Sequence, residues 1–111
     1  MIGTTYPSAP VDAETASLLR LIAGDPLHAE DRAAVARAIL AAAAADGGRV
    51  DPNQVRKRIP ATVYPRVIGA VYQALARAGV LQSEGWTISD DRRGRNSGRP
   101  ARVYRMVHRA S

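Results

Sequence analysis

The sequence predicts a mainly α chain that ends in a small β-hairpin, an α+β domain, and three observations carry that prediction. Apolar residues recur at helical spacing in successive segments up to Gly79, and each segment is closed by glycine or proline. After Gly79 the period falls from about 3.6 residues to about two, the alternation of a half-buried strand. The 111 residues, 46% hydrophobic and 23% charged, have the composition of a folded chain with one core.

Residues 1–11 carry Pro7 and Pro10 and almost no periodic apolar signal, so they read as a mobile arm preceding a single domain over 12–111. Leading helices occupy 12–46. The first starts at Asp12, places Leu18, Leu19, Leu21 and Ile22 on its apolar side, and stops at Gly24-Asp25-Pro26. The second runs from Ala29 to Ala45, with Glu30 and Asp31 in its first turn and Gly47-Gly48 as its stop. Val35, Ile39, Leu40 and the alanines give it a slim apolar face, suited to a core helix or to a dimer contact.

Arg49-Val50 is long enough for one strand rung only. Asp51-Pro52 then supplies an N-cap and a proline in the first helical position, opening a two-turn helix to Arg58 that Ile59-Pro60 ends. The next helix, Val63 to Ala78, takes Thr62 as its cap, keeps Pro65 inside its first turn, and closes at Gly79. Over 80–108 a hairpin follows, with Val80-Leu81 and Trp86-Thr87-Ile88 as one strand and Ala101 to Val107 as its partner. Its connection, SDDRRGRNSGRP, is longer than a tight turn, so its tip is expected to project and move.

Charge is distributed unevenly. The net charge is +6, yet residues 1–91 hold nine Lys or Arg against ten Asp or Glu, while residues 92–111 hold seven Arg and no acid. Fifteen of the sixteen basic residues are Arg, Lys57 being the exception. Arginine suits bidentate contacts to phosphate and guanine, and an acid-free cluster favours a polyanionic partner. GC-rich codon usage accounts for arginine over lysine but not for the clustering.

The order helix, short strand, short helix, turn, longer helix, hairpin is that of a winged helix-turn-helix. At 100° per residue, Tyr64, Ile68, Val71, Leu75 and Ala78 fall on one side of the longer helix, and Arg66, Gly69, Ala70, Gln73 and Arg77 on the other. The second set joins arginine and glutamine, which bond base edges, to small residues where a backbone must come close. On the wing, Arg92, Arg93, Arg95 and Arg99 are spaced by glycines, Asn96 and Ser97, so that guanidinium groups can follow phosphates or enter a minor groove.

The segment Gly98 to Val107, GRPARVYRMV, resembles the wing and last strand of many winged-helix transcription regulators. Pro65-Arg66-Val67-Ile68-Gly69-Ala70, followed by Ala76 to Leu81, is similar to the recognition helix of small winged-helix proteins of bacteriophages and prophages. That resemblance covers about half the chain. It implies specific binding of double-stranded DNA through the helix of Arg66, Gly69, Ala70 and Gln73, with the wing arginines on the backbone or minor groove, and it brings no catalytic residues. The candidate DNA contacts are then Arg56, Lys57, Arg58, Tyr64, Arg66, Ala70, Gln73, Arg77, Arg92, Arg93, Arg95, Asn96, Arg99 and Arg102.

Other chemistry is poorly supplied. The chain has no cysteine, so disulfides, thiolate metal sites and cysteine nucleophiles are excluded. His28 and His108 are far apart and lack ligand-spaced carboxylates, and both read as surface histidines. Asp90-Asp91 reads as a turn or salt-bridging pair beside the Arg-rich loop. No phosphate-binding glycine motif and no catalytic triad order stand out, so no enzyme, cofactor or metal is expected. Trp86 and Tyr104 lie where paired strands bring them together, so hairpin packing is their expected role rather than base stacking.

The opening MIGTTYPSAPVDAE has no basic and apolar leader pattern, and no run approaches the roughly 18 apolar residues of a membrane span, which points to a cytoplasmic protein without membrane partners. The expected partner is duplex DNA, in transcription, replication or recombination. A protein-interaction module, with a host or replication protein as partner, is the alternative. The leading helices offer a homodimer contact.

Overall fold

In the computed structural model, residues 13–22, 26–90 and 98–107 are described. The proposed arm, the Gly24-Asp25 stop, Asp91, Arg92, Arg93, Arg95, Asn96 and His108 lie outside them.

Helix α1 (Ala13–Leu21) carries Glu14 in its first turn and Arg20 in its last, both favourable to the helix dipole. Leu18 and Ile22 are buried in the main core cluster. After a short 3₁₀ turn (Pro26–His28), α2 runs over Ala29–Ala45, the bounds the sequence predicts. Its alanines serve the core: Ala36, Ala38, Ala42 and Ala43 are buried beside the fully buried Val35 and Ile39. Small side chains let α1 and α4 approach closely, so this face is taken inside the chain.

The end of α2 needs glycine. The Gly48 amide donates to the Ala43 carbonyl at 2.8 Å, closing the last turn, and Gly47 and Gly48 both hold positive φ, 60° and 99°. β1 (Arg49–Val50) follows at once. Asp51 then caps α3 (Pro52–Arg56), its Oδ1 accepting from the Asn53 amide at 2.9 Å. The helix is shorter than expected: Lys57 and Arg58 lie in the turn beyond it.

Tyr64, not Thr62, is the N-cap of α4 (Pro65–Arg77). Proline at 65 keeps the residue before it extended, and Tyr64 has φ −67° and ψ 123°. Its side chain makes no capping bond. Its amide instead donates to Asp31 Oδ2 of α2 at 3.0 Å, which ties the inter-helix turn to the body. The other end of α4 closes as a Schellman motif, with the Val80 amide on the Leu75 carbonyl, the Gly79 amide on the Ala76 carbonyl, and Gly79 at φ 82°.

β2 (Leu81–Ile88) and β3 (Pro100–Met106) form the hairpin. A third strand joins it, because β1 pairs antiparallel with β3, giving the order β1-β3-β2. The register breaks between Ser83 and Gly85, a bulge at Glu84 that bends the strand. The described residues therefore build an α+β domain of four α-helices and a small antiparallel sheet. Val50, Val55, Val63, Val67, Val71, Leu75, Val80 and Leu81 close its core around α2. Among the described residues no helix is long and apolar enough to cross a membrane.

Candidate nucleic-acid interface

The strong apolar and polar split of α4 sets its orientation. Val67, Val71 and Leu75 are buried, with Ile68, Tyr72, Ala74 and Ala78 packed at the margin. Arg66, Gly69, Ala70, Gln73 and Arg77 are all exposed, the face expected from the sequence. Tyr64 corrects that expectation: it is 46% exposed and stacks on His28, with ring centroids 5.5 Å apart. As an extended cap residue it does not obey the helical wheel, and Val67 takes the inward place.

The exposed face of α4 has two properties that matter for a ligand. It carries no acid from Pro65 to Arg77. A Cβ added at Gly69 would meet nothing within 4 Å, so nothing inside the fold requires glycine there. The residue leaves a bare stretch of backbone facing outward, at a cost in helix propensity.

Three basic residues precede α4, and they differ. Arg56 is paired with Asp90 and also donates to Asn53 Oδ1 at 3.1 Å. Its guanidinium is thereby committed to holding α3 to the hairpin, in the salt-bridging role expected for Asp90. Lys57 is exposed, and Arg58 is exposed with one bond to the Gln54 carbonyl at 3.3 Å.

Asn53 is the residue that sequence reading missed. Its Nδ2 donates to the Ile88 carbonyl at 2.9 Å, while its Oδ1 accepts from the Asp90 amide at 3.1 Å and from Arg56. One side chain thus fixes the far end of β2 against α3. Its only signal in the sequence is a position just after the Asp51-Pro52 cap, which reads as ordinary helix.

A second joint links α4 to the sheet. Tyr72 stacks on Tyr104 of β3, centroids 5.6 Å apart and planes 20° apart. Burial pushes the Tyr72 phenol above its ordinary pKa, and its hydroxyl finds no hydrogen-bond partner among the described residues. Side chains alternate along a strand, so Pro100, Arg102 and Tyr104 share one face of β3, and Arg102 lies on the side that meets α4.

The expected packing of Trp86 on Tyr104 is not found. The register sets Trp86 opposite Arg102 and Ser83 opposite Tyr104, and the ring beside Tyr104 is Tyr72. Trp86 is left 63% exposed, with the Arg102 guanidinium carbon 4.8 Å from its ring centroid. The Glu84 bulge sets Trp86 on the face of Arg102 and Tyr104, but its partner across the strands is Arg102, and Tyr104 is taken up by Tyr72.

Of the wing arginines, Arg99 and Arg102 are exposed on or beside β3. Arg105 is structural, donating to Glu84 Oε2 at 2.8 Å and to the Gly47 carbonyl at 3.0 Å. Among the described residues Lys57, Arg66, Arg77, Arg99 and Arg102 meet no carboxylate at salt-bridge distance. The site therefore has two parts, the outer face of α4 and the face of the hairpin that adjoins it. Compared with known proteins, the chain matches no family model, no curated protein and no solved structure.

Proposed function

We propose that the chain is a winged-helix protein that binds double-stranded DNA, with α4 in the major groove and the hairpin on the backbone or minor groove. The carrying observation is the outer face of α4, where Arg66, Gln73 and Arg77 stand around Gly69 and Ala70 with no acid among them. Arginine and glutamine read base edges there, and the small residues admit close approach. The strand order β1-β3-β2 and the Tyr72–Tyr104 joint support the reading, since they hold helix and hairpin in one fixed relation. Lys57 and Arg58 add phosphate contacts, as do Arg99, Arg102 and the loop arginines. Control of transcription, replication or recombination on nucleoid or phage DNA is the role this binding serves, and two copies on paired half-sites would raise its affinity.

Fluorescence anisotropy of a labelled duplex over a salt series tests the reading. With five or six phosphates neutralised, log K falls against log salt with a slope of roughly −5. Changing Arg66 and Gln73 together to Ala abolishes sequence discrimination, and absence of duplex binding at low salt refutes the reading. The second reading, a protein-interaction module, has one observation in its favour: Trp86 and Ile88 are exposed on the hairpin.

A further inference from the structure

Folding leaves two large apolar side chains of β2 in solvent, Trp86 at 63% and Ile88 at 62% exposure. They are two residues apart and so share a strand face, and the register sets Arg102 and Pro100 directly across from them. Trp86, Thr87, Ile88 and Pro100 line one open depression. This face is the continuation of the one on which Tyr104 stacks against Tyr72 of α4. The hairpin face that covers α4 at one end thus runs on, beyond the helix, as an exposed apolar surface.

Among the described residues the acids beside it are paired, and two arginines near it, Arg99 and Arg102, meet no carboxylate at salt-bridge distance. Glu84 is bound by Arg105 and Asp90 by Arg56. Arg102 lies over the indole, its guanidinium carbon 4.8 Å from the ring centroid. The ring holds the cation, and its N–H donors meet no carboxylate of the described residues at salt-bridge distance, which leaves them for an anion. A ligand that fits must present flat or apolar faces beside closely spaced negative charges. A DNA strand does so, the apolar faces of its deoxyriboses alternating with phosphates, and this surface adjoins the helix assigned to the same duplex.

We infer that Trp86, Ile88 and Pro100, with Arg102 held over the indole, form an apolar contact on the DNA strand beside the α4 groove, so that the wing binds by packing as well as by charge. This inference rests on the DNA-binding reading above. It makes part of the affinity insensitive to salt, because packing on sugar releases no counterions.

Trp86 is the only tryptophan of the chain, so its emission reports on this surface alone. The experiment titrates the full chain with a labelled 20-base-pair duplex, following duplex anisotropy and tryptophan emission together, with poly-glutamate as a polyanion lacking flat faces. Emission changes saturably at the anisotropy midpoint with duplex, and stays constant with poly-glutamate. Trp86→Ala weakens duplex binding about tenfold without altering the salt slope. Trp86→Phe restores most of the loss, and Arg102→Ala reduces the slope by about one. Circular dichroism confirms that each variant is folded, and the emission change in the unaltered chain needs no variant at all.

If the duplex binds through α4 while emission and Trp86→Ala affinity are unchanged, the inference is overturned and the DNA reading stands. If no duplex binds at low salt, both fall. A poly-glutamate response of Trp86 in that case assigns the surface to an acidic protein partner instead.

Discussion

Tyr72 of α4 and Tyr104 of β3 lie ring against ring, 5.6 Å between centroids, and this stack sets the position of the hairpin relative to the helix. The Tyr72 hydroxyl is buried without a partner among the described residues, so the ring is held for its area and not for its polar group. Removing that hydroxyl costs no hydrogen bond. Tyr72→Phe is therefore expected to be no less stable than the parent at pH 7, by chemical denaturation.

The same residue gives a pH dependence. Burial raises the Tyr72 pKa in the folded state, whereas in the unfolded chain tyrosine ionises near pH 10. The stabilising effect is complete below about pH 10, and stability declines as pH rises beyond it, because the unfolded chain releases a proton that the folded chain keeps. The parent is expected to lose stability above pH 10 more steeply than Tyr72→Phe. Equal slopes for the two proteins in denaturation at pH 9 to 11 would remove Tyr72 as the cause.

The Asn53 side chain makes three hydrogen bonds, two across the gap between α3 and the end of β2 and one to Arg56 within α3. Asn53→Ala leaves the Ile88 carbonyl and the Asp90 amide to find water, and loosens Arg56 from its pair. The expected loss is about 1 to 3 kcal/mol by thermal or chemical unfolding. Hydrogen exchange should speed up at Ser89 and Asp90 before it does in α2.

Gly69 offers a test that separates folding from binding. A methyl group there meets nothing within the fold, and alanine is the better helix former, so Gly69→Ala is expected to stabilise by about 0.5 to 1 kcal/mol. If the outer face of α4 lies against a duplex, the same methyl group weakens binding. A variant that melts higher and binds as well as the parent would place the duplex elsewhere.

Gly79 behaves in the opposite way. Its φ of 82° closes α4 in a conformation that a Cβ opposes. Gly79→Ala is expected to destabilise by about 1 kcal/mol, measured by urea unfolding, although its surroundings are open. Comparison with Gly69→Ala isolates backbone conformation from space.

The sequence by itself determined the order of the elements and several of their limits, though not the end of α3 or the cap of α4. Gly47-Gly48 and Gly79 end helices, Pro52 and Pro65 open them, and the bounds of α2 and the outer face of α4 follow from periodicity, all through forces between near neighbours in the chain. The clustering of arginine after residue 91 is also plain in the sequence. What the tertiary structure decided are the pairings across distance. It set the insertion of β3 between β1 and β2, and it turned Asn53 toward residues 35 and 37 positions away. It also committed Arg56 to Asp90, and left Trp86 beside Arg102 rather than Tyr104. These outcomes depend on register and on which chain segments meet, and a single bulge at Glu84 shifts the partner of every later residue in β2. Local propensity carries no signal for that shift, so the exposed tryptophan emerged only once the strands were paired.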